Sequence, residues 1–451
     1  MTVIVVVAAM AALVHPWAVP GIVAGVVGLL MVWFWTKKVY LAFLFALPFS
    51  VEVAVGGGFK MDFPTEAIIP VILVVVLIRS VQRGKLCALN TRVCIPLLFY
   101  AGYFLVTLAS TRFPVVAVKA ILRDWTHIIG GFFLAIFLIR DRYEVERLLR
   151  WAALSTGALA VYGMLTQLIQ GVAIYQVIAP PFFHEHSIPA AFLSFLLVLV
   201  LGLIFAGFAR SQWIRFVYVP LLVLALALSF VRGAWLALGI GTLVVLWVFR
   251  RRIPVHLGAV SGLAMGLLVA AALGFGITDL FAQRMHHFAD PEYVTNLDRI
   301  DRWGSAVSIW REHPLVGAGW GTYADEYFDH VFIHRAFSSN LRMGAHNLYL
   351  EILADGGLIG LLLFLVVIGV FFLEVRRVYR KVRGDRLAEG LCVGAAAAVS
   401  SYLLHAMVNN LGPSDKMAVL FWFTLALVPV AEHLWENRHH PYGKPFPSPA
   451  D

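Results

Sequence analysis

Charge is scarce in this chain. Only 14% of its 451 residues are Asp, Glu, Lys or Arg, and 61% are hydrophobic, where a soluble domain carries about 25% and roughly 45–50%. With a mean hydropathy of +0.84, these proportions exclude an ordinary soluble domain. Cysteine is nearly absent. Cys87, Cys94 and Cys392 are odd in number and lack ligand spacing, so neither a disulfide framework nor a zinc site is expected. No basic residue precedes Lys37, so a cleaved signal peptide is not expected either. There is no internal repeat, and the apolar runs hold almost no acidic residue. The Asp-x-Asp pair that would clamp a divalent metal on a diphosphate is also missing from the one long loop; Asp298 and Asp301 stand three apart beside arginines. Neither metal nor cofactor is expected.

What the chain does have is long apolar runs, and a membrane helix needs about 20 such residues. Spans are expected near 2–14, 17–36, 39–55, 64–79, 93–110, 126–140, 151–171, 188–207, 217–231, 233–250, 254–278, 356–375, 388–410 and 416–434. The fold expected is an all-α polytopic membrane protein of 12–14 transmembrane helices, since lipid-facing backbone must satisfy itself as helix or closed barrel. Alternate loops hold 23 of the 35 Lys and Arg residues, among them Lys37-Lys38, Arg140, Arg142, Arg250–Arg252, Arg376, Arg377 and Arg380. The positive-inside rule makes that face cytoplasmic. The net charge of +9 is then mostly topology, and no nucleic-acid partner is implied. The chain divides into a helical region (1–278), an extracytoplasmic loop (279–345), C-terminal helices (346–436) and a Pro-rich cytoplasmic tail (437–451).

The other twelve basic residues carry the interest, and six of them lie in residues 279–345. Loops beyond about 12–15 residues are commonly functional or disordered, and this one carries Trp303, Trp310 and Trp320. Within "NLDRIDRWGSAVSIWREHP", Ile300, Trp303, Val307 and Trp310 recur at helical spacing until Pro314. The reading is an amphipathic helix at the membrane surface, with Arg299 and Arg302 off its apolar face; a solvated face would also account for these two. Arg232, in "SFVRGAW", either snorkels to headgroup phosphate or faces inward as a fixed anion site, which its planar, permanently charged fork suits.

"GAHNLYLEILADGGLIGLLLFL" sets His346 and Asn347 at the mouth of an apolar helix. A helix N-terminus depresses a nearby imidazole's pKa, and a neutral imidazole can act as general base. Asn347 could hold the ring or an acceptor hydroxyl. Glu351 and Asp355 read as complements of the helix dipole, and Gly356 and Gly360 as a close-packing pair. Lys119 and Arg123 read as a surface helix touching lipid phosphate. His184-Glu185-His186 lacks the i, i+4 spacing of a zinc helix.

Together "SFVRGAW", "DRWGSAVSIWREHPLVGAGWGTY" and "AHNLYLEILADGGLIGLLLFL" resemble the O-antigen ligase and polymerase superfamily, most densely over 217–375. The resemblance implies a GT-C-like glycosyltransferase of the bacterial inner membrane, inverting and metal-independent. It would take a glycan from an undecaprenyl-diphosphate carrier at the periplasmic face. Arg232 and Arg302 would hold the diphosphate and His346 would activate the acceptor, with Arg299, Asn347, Lys119 and Arg123 binding substrate. The acceptor would be lipid A–core for a ligase or a second carrier-linked repeat unit for a polymerase. "RMGAHN" lacks the extra histidine common in ligases. The alternative reading is a polysaccharide flippase or other secondary transporter.

Overall fold

The computed structural model describes residues 18–56, 59–82, 91–170, 179–183, 185, 187–208, 211–229, 231–252, 294–333 and 343–439. The spans expected at 2–14 and 254–278, and the His184 and His186 pair, lie outside them. Among the described residues nine helices are long and apolar enough to cross a membrane. We number the helices in chain order: α1 (Ala18–Ala46), α2 (Thr65–Gln82), α3 (Cys94–Ala109), α4 (Pro114–Leu138), α5 (Arg142–Gln170), α6 (Ser187–Phe205), α7 (Ile214–Ser229), α8 (Arg232–Phe249), α9 (Val294–Glu312), α10 (Tyr323–Glu326), α11 (Leu348–Lys381), α12 (Arg386–His405) and α13 (Asp415–His439). Two of them, α3 and α7, are apolar but shorter. The chain is an all-α polytopic membrane protein, and among the described residues one hairpin interrupts the helices.

That hairpin corrects the span expected at 39–55. Strands β1 (Val51–Gly56) and β2 (Phe59–Phe63) pair antiparallel, Val51 opposite Phe63. Val51, Val53 and Val55 alternate with Glu52 and Ala54, so the segment is apolar at period two, not along a helical face. Helix α1 is two helices meeting across a kink at Trp35 (φ −127°, ψ 38°), close to the boundary expected at 37–38. Next to that break, Lys37 pairs with Glu144 of α5 at 3.1 Å.

The centre of the bundle is α12, which packs on α6, α8 and α13. Its run "GLCVGAAAA" is small enough for helix backbones to meet. A Cβ placed on Gly202 of α6 would lie 2.4 Å from the Gly394 Cα. At one end of the bundle the basic residues pair: Arg142 and Arg438 with Asp385, Arg252 with Glu389, and Arg377 with Glu374 and Glu432. The residues expected to face the other way gather at the far end, where Asp415 at the start of α13 accepts hydrogen bonds from Ser50 and Thr65.

One joint at the far end positions the site. Helix α11 breaks at Gly357 (φ 63°, ψ −168°), a conformation that favours glycine. The loop "LVGAGWGTY" docks there and replaces the missing helical bonds. Leu358 N–H donates to the Pro314 carbonyl at 2.9 Å, and Ala318 N–H to the Ala354 carbonyl at 2.9 Å. Asp355 is therefore no mere dipole complement: its carboxylate accepts from the Gly321 and Tyr323 amides at 3.0 and 2.8 Å. Gly356 and Gly360 admit a side chain, Tyr103, whose hydroxyl donates to the Gly356 carbonyl at 2.9 Å. Asp355→Leu would strip two enclosed amides of their acceptor, at about 1–3 kcal/mol each. We expect that variant to melt well below wild type and to be cleaved in residues 314–323 during limited proteolysis; an unchanged melting temperature and digest would refute the clamp.

Candidate functional site

His346 sits in a turn built for it. Its backbone is left-handed (φ 51°), uncommon for any residue but glycine and less costly for histidine than for a β-branched one. Asn347 then caps α11, its side-chain oxygen accepting from the Tyr349 and Leu350 amides at 3.0 and 3.1 Å. That oxygen is thereby committed to the helix, and the imidazole is held by a residue the sequence reading missed. His346 Nδ1 lies 3.1 Å from Asn409 Oδ1. Because the same oxygen accepts from the Asn410 amide at 3.0 Å, Nδ1 must be the donor, which leaves Nε2 as the open acceptor. Glu351 tightens the turn from the other side. It accepts from the Ala345 amide at 2.8 Å and from the Asn410 side chain. A Cβ on Gly344 would lie 2.5 Å from that Asn410 amide nitrogen, so the "GAHN" motif needs its glycine for close approach.

Arg302 reaches the same turn from α9. Its guanidinium is buried, 2% exposed, and donates to the Gly344 carbonyl at 3.4 Å, with Asp298 at 3.6 Å. Its buried Nε–H finds no partner among the described residues. The solvated-face reading therefore does not hold for Arg302. Asp298, Asp301, Arg302, Ser305 and Ile309 are buried, while Ile300 is exposed and Trp303, Val307 and Trp310 are half-buried. The polar face docks on the protein, where Asp301 accepts from the Phe332 and Ile333 amides at 2.8 and 2.6 Å.

Arg299 projects from the exposed side of α9. Enclosure by the chain, then the positive charges of Arg232 and Arg302, disfavour its protonated form, so three guanidinium groups share one region. Arg232 is the first residue of α8, whose first turn holds no acidic residue; the positive helix end adds to the same potential. The next residue, Gly233, abuts His405: a Cβ there would lie 2.9 Å from the ring. Beyond His405, the Ala406 carbonyl accepts from the Leu348 amide at 2.9 Å, two residues after His346. Arg232 and His346 thus open at the same end of the bundle. Burial, then the charge of Arg302, pulls His346 down from 6.5 to about 4, with Arg299 assisting and the Asn409 hydrogen bond opposing.

This arrangement can hold an anion of more than one charge beside a neutral imidazole. A family model for O-antigen ligase matches residues 217–365, the stretch holding Arg232, Arg299, Arg302, His346 and Asn347. Residues 217–365 are thus similar to the O-antigen ligase family. The family points to a membrane glycan-transfer role, and with the apolar helices it marks a multi-pass bacterial membrane protein. An uncharacterized protein of Haemophilus influenzae is 23% identical over 197 residues, covering 40% of this chain and 48% of that protein. The chain therefore matches about half the length of that relative.

Lys119 and Arg123 lie outside the matched domain and differ from their expected setting. Helix α4 continues through a π-helical turn at Ile129–Phe133 into Leu138, so the two belong to one spanning helix and not to a surface helix. Arg123 pairs with Asp124 at 3.2 Å and lines an interior cavity with His127, Glu351 and Asp355. These carboxylates also revise the near-absence of acid from the spans, because α4 and α11 begin well before their apolar runs. Besides Asn409 and His405, sequence reasoning missed Asp124 and His127. "HAMVNNLGP", a polar cluster closing an apolar run, was the readable signal for the first pair.

Proposed function

We propose that the protein is a glycosyltransferase that moves a glycan from an undecaprenyl-diphosphate carrier to an acceptor sugar hydroxyl at the periplasmic face of the inner membrane. The observation that carries this is the convergence of Arg232, Arg299 and Arg302 with the imidazole of His346 at the less basic end of the bundle. By the positive-inside rule that end is periplasmic.

The chemistry follows from the groups present. The arginines take the diphosphate, with bidentate charge-assisted bonds to its oxygens. His346 Nε2 removes the proton of the acceptor hydroxyl as that oxygen attacks the anomeric carbon. The bond from that carbon to the diphosphate breaks on the opposite face, so configuration inverts. Charge growing on the leaving diphosphate meets donors already in place, the arrangement that gives electrostatic catalysis its effect. Asn409 fixes the ring's tautomer, Asn347 and Glu351 hold its backbone, and the guanidinium groups fill the neutralising role of a metal ion. Transfer is accordingly expected to persist in excess chelator.

Ligase and polymerase share this chemistry and differ only in acceptor. The deciding experiment reconstitutes the protein with carrier-linked glycan and offers lipid A–core and a second carrier-linked repeat unit side by side. Product on one or the other names the branch. A pure transporter makes neither product in detergent, where no gradient exists, and that result would overturn the reading.

A pH prediction follows. In the free protein His346 is neutral above about pH 4, so it can accept a proton across the physiological range. The acid limb of kcat/KM on this group should fall near pH 4, well below the 6.5 of an ordinary histidine. A bound diphosphate favours the imidazolium, so the kcat limb should lie at higher pH than the kcat/KM limb. Coincident limbs near 6.5 would contradict the assignment.

A further inference from the structure

Behind the His346 turn lies a cavity of about 80 Å³, bounded by α3, α4, α11, α12, α13 and the loops that reach the site. At about 15 Å³ of such space per water it has room for roughly five waters, the scale of one sugar ring and far less than a glycan repeat. Its walls are aromatic: Tyr100, Trp320, Phe364, Tyr402 and Trp422. Trp320 stacks on Phe104 with ring centroids 3.9 Å apart and donates from Nε1 to Asp124 at 2.7 Å.

The polar groups in these walls fall into two sets. Asp124 is committed to Trp320 and Arg123, Asp355 to the loop amides, and Glu351 to Ala345 and Asn410. His127 is not committed. It is 1% exposed, both ring nitrogens lack a hydrogen-bond partner among the described residues, and the nearer Asp124 oxygen is 3.9 Å away. Asn410 Oδ1 is likewise buried and without a partner. Native proteins seldom leave such groups unpaired. Here one donor–acceptor ring and one amide oxygen line an aromatic-walled space, a combination suited to hydroxyl groups on an otherwise apolar ring face.

We infer that this cavity is a subsite for one pyranose ring, the terminal sugar of the acceptor glycan, with His127 and Asn410 bonding its hydroxyls. The placement distinguishes acceptor from donor. Arg302 approaches the 343–346 turn through Gly344 and Met343, whereas the cavity meets it through Glu351 and Asn410, which adjoins the imidazole's own partner Asn409. A sugar seated there and a diphosphate on the arginines would flank His346 from two sides, as a base between acceptor and donor requires. This inference rests on the transfer reading above.

The test uses the full chain in detergent and has two arms. Saturation-transfer NMR with the methyl glycosides of glucose, galactose and N-acetylglucosamine should give signal for at least one sugar on wild type and on Arg232→Ala. The signal should vanish in His127→Leu and in Ala418→Leu, which fills the cavity. Removing an unpartnered buried ring costs the fold little, so His127→Leu should melt at or above wild type. In the transfer assay His127→Leu should raise the acceptor KM at least tenfold with the donor KM within twofold, and His127→Asn should recover part of the loss. No signal on wild type, signal surviving in both cavity variants, or a rise in donor KM instead would each overturn the subsite. Absence of transfer by wild type would refute the enzyme reading, and the NMR arm is independent of it.

Discussion

Replacing His346 by alanine is expected to lower kcat for glycan transfer by about 10²–10⁴-fold, the usual contribution of a positioned general base. KM for the carrier should change little, because the imidazole meets the acceptor and not the diphosphate. The variant should fold, since Asn347 still caps α11 and Glu351 still holds the Ala345 amide. His346→Gln is the sharper control, because it keeps a polar side chain of similar reach without a basic nitrogen. Its kcat should fall with that of the alanine variant. Rates measured on purified protein with carrier-linked donor decide the matter, and a His346→Ala enzyme within threefold of wild type would remove the base.

Arg232→Ala is the second large effect. A hydrogen bond to a charged group is worth about 1.5–3 kcal/mol, and 1.36 kcal/mol is tenfold in rate, so the loss should be on the order of 10–100-fold in kcat/KM. Arg302→Ala should cost at least as much, because its guanidinium is buried and also bonds the backbone of the histidine turn. Lysine should rescue neither fully, since a point charge does not reproduce a planar fork. The two losses should combine to less than their product, because both guanidinium groups act in one region on the same anion. Steady-state kinetics of the singles and the double test this, and strict additivity would mean that the arginines serve separate sites.

Much of this was legible in the sequence, and the exceptions have physical causes. Apolar run length located most helices, because a spanning helix needs it. It misplaced residues 51–56, where the composition suits a span but the period is that of a strand. The periodicity of Ile300, Trp303, Val307 and Trp310 identified α9 as amphipathic. Whether its arginines sat on a solvated face was not legible, because only the docking of α9 on the 343–346 turn buries Arg302 and leaves Arg299 exposed. Arg232, Arg302 and His346 stood out as polar residues beside hydrocarbon. Asn409 did not, because it lies 63 positions from the ring it holds and only the packing of α12 against the start of α11 joins them. Asp124 and His127 were hidden for a related reason: reading α4 as a surface stretch followed by a separate span broke it where the two residues turn inward.

Binding of undecaprenyl diphosphate to purified protein tests the central claim most directly, because it needs neither acceptor nor turnover. Wild type and His346→Ala should bind it with similar affinity, and Arg232→Ala and Arg302→Ala should each bind at least tenfold more weakly. Equal affinity in all four proteins would contradict the account.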